Sequence, residues 1–185
     1  MQPLINALIM LAVFLCGPAY AQDYTGTGDV QSQIETLITP YDAQYVEDAI
    51  IGMVNAARYK IRVFAYGFTD KKLCDTLVYQ HHQGLDVAVI MDSTEAAGKS
   101  QAPLVQELQE NGIPLFIGKS PVHHALIHLK AIICDDSVVE SGSFNYSNSA
   151  ADQINEVDII RSPERAAKFD QAWNKLYQYL NSKNQ

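Results

Sequence analysis

The sequence predicts an α/β sandwich, with a mixed, mostly parallel sheet held between helical layers. Two observations carry that expectation. Between residues 61 and 117, β-branched or apolar runs alternate with stretches of helical periodicity at short separations. After residue 125 the pattern changes to closely spaced strands closed by one long amphipathic stretch.

The elements follow in chain order. Gln22 to Asp29 is polar and contains Gly26 and Gly28, the composition of a mobile leader. Val46, Ala49, Ile50, Met53, Val54 and Ala57 then recur at the spacing of one helical face. Ile61 through Phe68 is β-branched and aromatic, as a strand would be, and Asp70 opens a helix with Leu73, Leu77 and Val78 on one side. Gly84 stops that helix. Leu85 to Met91 is almost continuously apolar, the signature of a strand buried on both faces. Leu104 and Leu108 mark another helix, ended by Gly112, and Ile113 to Ile117 forms the next strand. Ala125 to Cys134 and Val138 to Ser141 read as a hairpin turned by Asp135-Asp136-Ser137. Val157 to Ile160 is a further strand. Ser162-Pro163 then starts the last helix, with Ala166, Phe169, Trp173, Leu176, Tyr177 and Leu180 on a core-facing stripe.

At 185 residues with 48% hydrophobic content, the chain suits one compact domain. Its first 21 residues contain no charged side chain, and the apolar stretch Leu4 to Leu15 leads to Ala19-Tyr20-Ala21. That is the pattern of a signal-peptide core and an A-x-A cleavage site, although no Lys or Arg follows Met1. The stretch is short for a membrane span, so no stable membrane insertion is expected after cleavage, and the mature chain is expected to be periplasmic or secreted. Cys74 and Cys134 would then lie in a compartment that permits a disulfide; their spacing leaves a bridge and two separate buried thiols equally open.

The net charge of −8 argues against an extended groove that tracks a phosphate backbone. The charge is uneven, however. Residues 22–57 contain six acidic side chains and no basic one, so the remainder of the chain carries only −2. The overall acidity therefore says little about the face that does chemistry.

The chemistry concentrates after residue 124. In an extended segment residues two apart share a face, so His128 and Lys130 project together while Leu129, Ala131 and Ile133 turn toward the core. Gly142-Ser143-Phe144-Asn145 follows with a second same-face pair, and Glu156 opens the next strand. Lys130, Ser143 and Asn145 can donate to the non-bridging oxygens of a phosphoryl group, with His128 as nucleophile or acid. A carboxylate such as Glu156 on the other ring nitrogen would fix the tautomer of the imidazole. His123, His124 and His128 also suggest zinc, but only His124 and His128 share a face and no nearby Cys completes a ligand set; no metal is assigned. His81-His82 reads as a solvated helix end.

His128-Leu129-Lys130-Ala131-Ile132-Ile133-Cys134-Asp135 matches H-x-K-x-x-x-x-D, and Gly142-Ser143-Phe144-Asn145 matches G-S-x-N. The chain thereby resembles the phospholipase D superfamily, in particular the small bacterial endonucleases with one such motif per chain. The resemblance implies a phospholipase D-like catalytic domain over 41–185, following a signal peptide at 1–21 and a polar leader at 22–40. It implies catalysis by His128, Lys130 and Glu156 through a phosphohistidine, phosphate binding by Lys130, Ser143 and Asn145, and a structural role for Asp135 and Gly142. It also implies no metal or other cofactor, a DNA or RNA substrate, and a homodimer that shares its active site across the two-fold axis. A lipid phosphodiesterase and a noncatalytic phosphate-binding dimer are the rival readings. Phe64, Tyr66 and Phe68, near one strand end, are candidates to touch either base or lipid.

Overall fold

A computed structural model describes residues 33–183; the expected signal peptide and the first part of the expected leader lie outside them. Among these residues seven strands form one sheet: β1 (Gln33–Thr39), β2 (Lys60–Ala65), β3 (Asp86–Asp92), β4 (Leu115–Gly118), β5 (Ala131–Cys134), β6 (Val138–Gly142) and β7 (Asn155–Arg161). The helices are α1 (Ala43–Asn55), α2 (Lys71–His82), α3 (Ser93–Ala96), α4 (Ala102–Glu110) and α5 (Pro163–Lys183). The strand order is β1-β7-β6-β5-β2-β3-β4.

The α/β sandwich and the mixed sheet are as expected, but the balance of pairings is not. Only β2–β3 and β3–β4 are parallel, while β2–β5, β5–β6, β6–β7 and β1–β7 are antiparallel. The expected mostly parallel sheet is thus mostly antiparallel. The β-α-β repeats of the first half fill only one side of the sheet. The hairpin-connected second half supplies the other, and the unforeseen β1 closes its outer edge by pairing antiparallel with β7.

That strand falls inside the stretch expected to be a polar leader through residue 40. It is an edge strand with one sheet neighbour, so only Leu37 and Thr39 are buried and Ile34 is 58% exposed. An edge strand of this kind lacks the clean alternation from which strands are read. The expected strand from Ala125 is also shortened: residues 125–130 pair with no strand, and β5 begins at Ala131.

The two faces of the sheet bury two clusters. Ile61, Val63, Val87, Val89, Ile132 and Val157 pack under α1, α2 and α4 with Ile50, Leu77 and Leu108. Phe64, Ala88, Ile90, Ala131, Ile133 and Val139 pack under α5 with Ala166, Trp173 and Leu180. Adjacent strand residues therefore serve opposite layers, which is why the central strands read as unbroken apolar runs. Trp173 packs edge-on against Phe116, and the guanidinium of Arg62 lies 5.0 Å over its ring. Cys74 and Cys134 are separate, buried free thiols, and burial pushes both up to about 12.

Candidate active site

The sheet topology brings five chain segments to one edge. The ends of β2 and β3, the approach to β5, the end of β6 and the start of β7 all meet there, because Phe64 pairs with Ala131 and Gly142 with Val157. His128, Lys130, Ser143, Asn145 and Glu156 all lie at this edge.

Lys130 is 97% buried, and its Nζ lies 3.0 and 3.1 Å from the two ring nitrogens of His128 while donating to the His128 carbonyl oxygen at 2.8 Å. An ammonium so placed can donate to whichever imidazole nitrogen is unprotonated. Desolvation holds the Lys130 pKa below the usual lysine value. His128 itself is exposed.

Tyr66 completes this pair. Its ring centroid lies 4.5 Å from that of His128, and the Lys130 ammonium sits 5.0 Å over its face. Desolvation, followed by the nearby Glu95 carboxylate, raises the Tyr66 pKa. Of the three aromatic side chains expected to touch substrate, Phe64 and Phe68 are instead core residues, 2% and 0% exposed; only Tyr66 reaches the edge. Strand alternation would have put all three on one face, but β2 ends at Ala65 and the chain turns at Gly67.

Asn145 is held by that turn. Its side-chain oxygen accepts from Gly67 N at 3.2 Å, and Tyr146 N donates to Gly67 O at 3.1 Å. A backbone N–H can only donate, so the Asn145 oxygen faces Gly67 and its NH2 group is left to donate elsewhere. A Cβ on Gly67 would come within 3.2 Å of the Asn145 side chain.

Ser143, expected to bind phosphate, has partners of its own at the strand ends. Its hydroxyl donates to Asn155 Oδ1 at 3.0 Å and accepts from Glu156 N at 3.1 Å, while Ser143 N donates to Glu156 O at 3.0 Å. It therefore ties the end of β6 to the start of β7. Gly142 allows that approach, since a Cβ there would lie 2.0 Å from the Glu156 carbonyl oxygen. The Glu156 side chain is exposed, and among the described residues no hydrogen bond joins it to His128.

Asp135 sits at the other end of β5, roughly 16 Å from Lys130 at about 3.3 Å per residue. Its carboxylate accepts from the backbone N–H groups of Arg58, Tyr59 and Lys60 at 3.1 to 3.2 Å. A cavity of about 690 Å³ lined by Arg58, Tyr59, Asp135 and Arg161 occupies that far end. His123 and His124 are exposed, with ring centroids 3.8 Å apart, and among the described residues no three His, Cys, Asp or Glu side chains gather as a metal site.

Beside His128 lies a recess of about 480 Å³ lined by Phe64, Leu126, Ile127, Leu129, Lys175 and Leu176. Leu129, expected in the core with Ala131 and Ile133, is 39% exposed. Residues 125–130 are outside the sheet, so strand alternation does not govern them.

Two further side chains were not anticipated. Asp92, fully buried, accepts from Ile127 N at 2.8 Å, and Gln101 joins Phe68 N at 2.8 Å to Glu95 at 3.0 Å. An apolar run ending in a carboxylate, as in Leu85 to Asp92, was the available signal for the first.

Residues 50–177 match the family model described as cardiolipin synthase, PLD-like domain. A phospholipase D from Rickettsia bellii is 31% identical over 147 residues, covering 77% of this chain and 68% of its own. A mitochondrial cardiolipin hydrolase from Chlamydomonas reinhardtii is 26% identical over 67% of this chain and 54% of its own. Among solved structures, the phospholipase D family member Nuc from Salmonella typhimurium superposes with a TM-score of 0.71 at 25% identity, covering 80% of this chain and 95% of Nuc. NucT from Helicobacter pylori has the same fold, with a TM-score of 0.73 at 17% identity over 80% of this chain and 97% of its own. The chain belongs to the phospholipase D superfamily, and it is a hydrolase of the phosphodiesterase class.

Proposed function

We propose that the chain is a metal-independent endonuclease that cleaves DNA or RNA through a phosphohistidine. The observation that carries this reading is the cluster of His128, Lys130 and Asn145 at one open sheet edge. In the first step an imidazole nitrogen of His128 attacks phosphorus, the bond to the leaving oxygen breaks, and that oxygen takes a proton from His128 of the partner subunit. Water then gives a proton to the partner's His128, restoring it, and attacks the phosphohistidine, breaking the P–N bond and releasing the phosphorylated product and free His128. Lys130 and the Asn145 NH2 group donate to the non-bridging oxygens as charge grows on them. Glu156 would orient an imidazole across the two-fold axis.

Size supports the endonuclease reading over the lipid one. The chain spans nearly the whole of Nuc and NucT, at 95% and 97%, but only 68% and 54% of the relatives named phospholipase D and cardiolipin hydrolase. One motif per chain supports a homodimer, and the exposed Val122, Leu126 and Leu129 around His128 are the kind of surface a second copy would cover. The second reading is a lipid phosphodiesterase, favoured by the apolar recess beside His128. The apolar segment at 1–21 supports export to the periplasm or beyond.

The test is hydrolysis of plasmid DNA, RNA and phosphatidylcholine by the mature protein in EDTA, beside His128→Ala. Nucleic acid is expected to be cut only by the wild type. Cleavage of lipid alone would replace this reading with the second, and loss of activity in EDTA would require a metal.

A further inference from the structure

Asp92 ends β3 with its side chain fully buried, and none of the ion pairs among the described residues involves it. One carboxylate oxygen accepts from Thr94 N at 2.9 Å and so caps α3; the other accepts from Ile127 N at 2.8 Å. A cap for a four-residue helix does not account for burying an unpaired carboxylate. Asp70 shows what capping alone requires: it holds Leu73 N at 3.0 Å at the start of the twelve-residue α2 while remaining partly exposed.

What the burial secures is the chain beside the nucleophile. Residues 125–130 belong to no strand, and sheet pairing resumes only where Ala131 meets Phe64. His128 therefore lies between the Asp92 latch at Ile127 and the first rung of β5, with its own carbonyl held by Lys130 Nζ at 2.8 Å. The Ile127 side chain, 5% exposed, anchors the same point in the core under α5. Asp92 thus acts on His128 through the preceding backbone N–H rather than through the ring.

We infer that Asp92 is a positioning residue for His128: its carboxylate fixes the backbone at Ile127 so that the imidazole meets phosphorus in line. The inference rests on the phosphodiesterase reading with His128 as nucleophile. It predicts an effect on kcat rather than KM, because Lys130 and Asn145 would still hold the phosphate while the attacking nitrogen drifted.

The experiment compares wild type, Asp92→Ala, Asp92→Asn and the cap comparator Asp70→Ala, by amide hydrogen exchange at Ile127 and by steady-state hydrolysis of bis(p-nitrophenyl) phosphate. In Asp92→Ala the Ile127 amide should exchange rapidly and kcat should fall on the order of 100-fold, the scale of a 1 Å misplacement. KM should stay within about twofold. Asp92→Asn keeps one oxygen able to accept from Ile127 and should recover about tenfold of the loss. Asp70→Ala should lose stability and keep its kcat. A folded Asp92→Ala with wild-type kcat, or with a raised KM instead, overturns the inference. If that variant does not fold, Asp92→Asn decides: faster Ile127 exchange with reduced kcat supports the latch, and wild-type values of both overturn it. If the wild type hydrolyses no diester, the phosphodiesterase reading fails separately. The latch is then judged on Ile127 exchange and on the His128 ring resonances, which Asp92→Asn must shift if the latch exists.

Discussion

Tyr66 touches both His128 and Lys130, and both contacts use its ring rather than its hydroxyl. Tyr66→Phe should therefore keep most activity, while Tyr66→Leu should lower kcat/KM about five- to tenfold, the rate equivalent of a contact worth about 1 kcal/mol. Equal losses in the two variants would assign the role to the hydroxyl instead. Glu140 poses a different question at the same scale. It is fully buried in β6, accepts from the Tyr146 phenol at 2.6 Å, and its second oxygen has no partner among the described residues. Burial pushes its pKa from the ordinary 4.5 up to about 8. A raised folded-state value means that the neutral acid is the form the fold accommodates. Its contribution is complete below the unfolded pKa and is lost as pH rises through about 8. Thermal unfolding measured across that range should show the wild type losing stability with rising pH relative to Glu140→Gln, which is neutral throughout. Parallel profiles would show that Glu140 does not titrate in this way.

At the scale of elements, the β6–β7 junction and the β5–β6 turn divide the motif into two jobs. Gly142 is needed because β7 passes too close for a side chain, with the Glu156 carbonyl 2.0 Å from where a Cβ would stand. Gly142→Ala should cost about 1–3 kcal/mol by overpacking and should also reduce activity, since Ser143 and Asn145 move with the strand end. Denaturant unfolding beside a kinetic assay would check both effects. Asp135 works at the opposite end of β5, where it adopts a φ of +55° and accepts from the backbone N–H groups of Arg58 and Tyr59 in the α1–β2 connection and of Lys60 at the start of β2. Asp135→Ala should lose about 1–3 kcal/mol of stability. Asp135→Asn, which tolerates that backbone region and keeps an acceptor, should lose less. Well below the melting temperature, kcat should be unchanged in both; a selective loss of kcat would place Asp135 in the chemistry.

For the whole molecule, the proposed shared site has a quantitative signature. When wild-type chains exchange subunits with His128→Ala chains, a site needing two imidazoles should leave activity proportional to the square of the wild-type fraction. A linear dependence would mean that each chain works alone. One chain brings one His128, one Lys130 and one Asn145 to the sheet edge, and among the described residues no hydrogen bond joins the Glu156 carboxylate to His128.

The central strands, the α5 stripe and the motif residues were legible in the sequence, because each depends on spacing within a short segment. Apolar runs such as Leu85 to Met91 report burial on two faces, and H-x-K followed by G-S-x-N is a local pattern with fixed offsets. The edge strand β1, the antiparallel majority of pairings, the burial of Phe64 and Phe68 and the exposure of Leu129 were not legible. Each is decided by which distant segment lies alongside, a long-range property that local periodicity does not encode. The same division runs through the site. His128, Lys130 and Asn145 announce themselves by residue type and offset. Tyr66 and Asp92 become part of the site only when β2 and β3 end beside the approach to β5, because a ring contact and a backbone latch across 35 residues exist only in the folded chain.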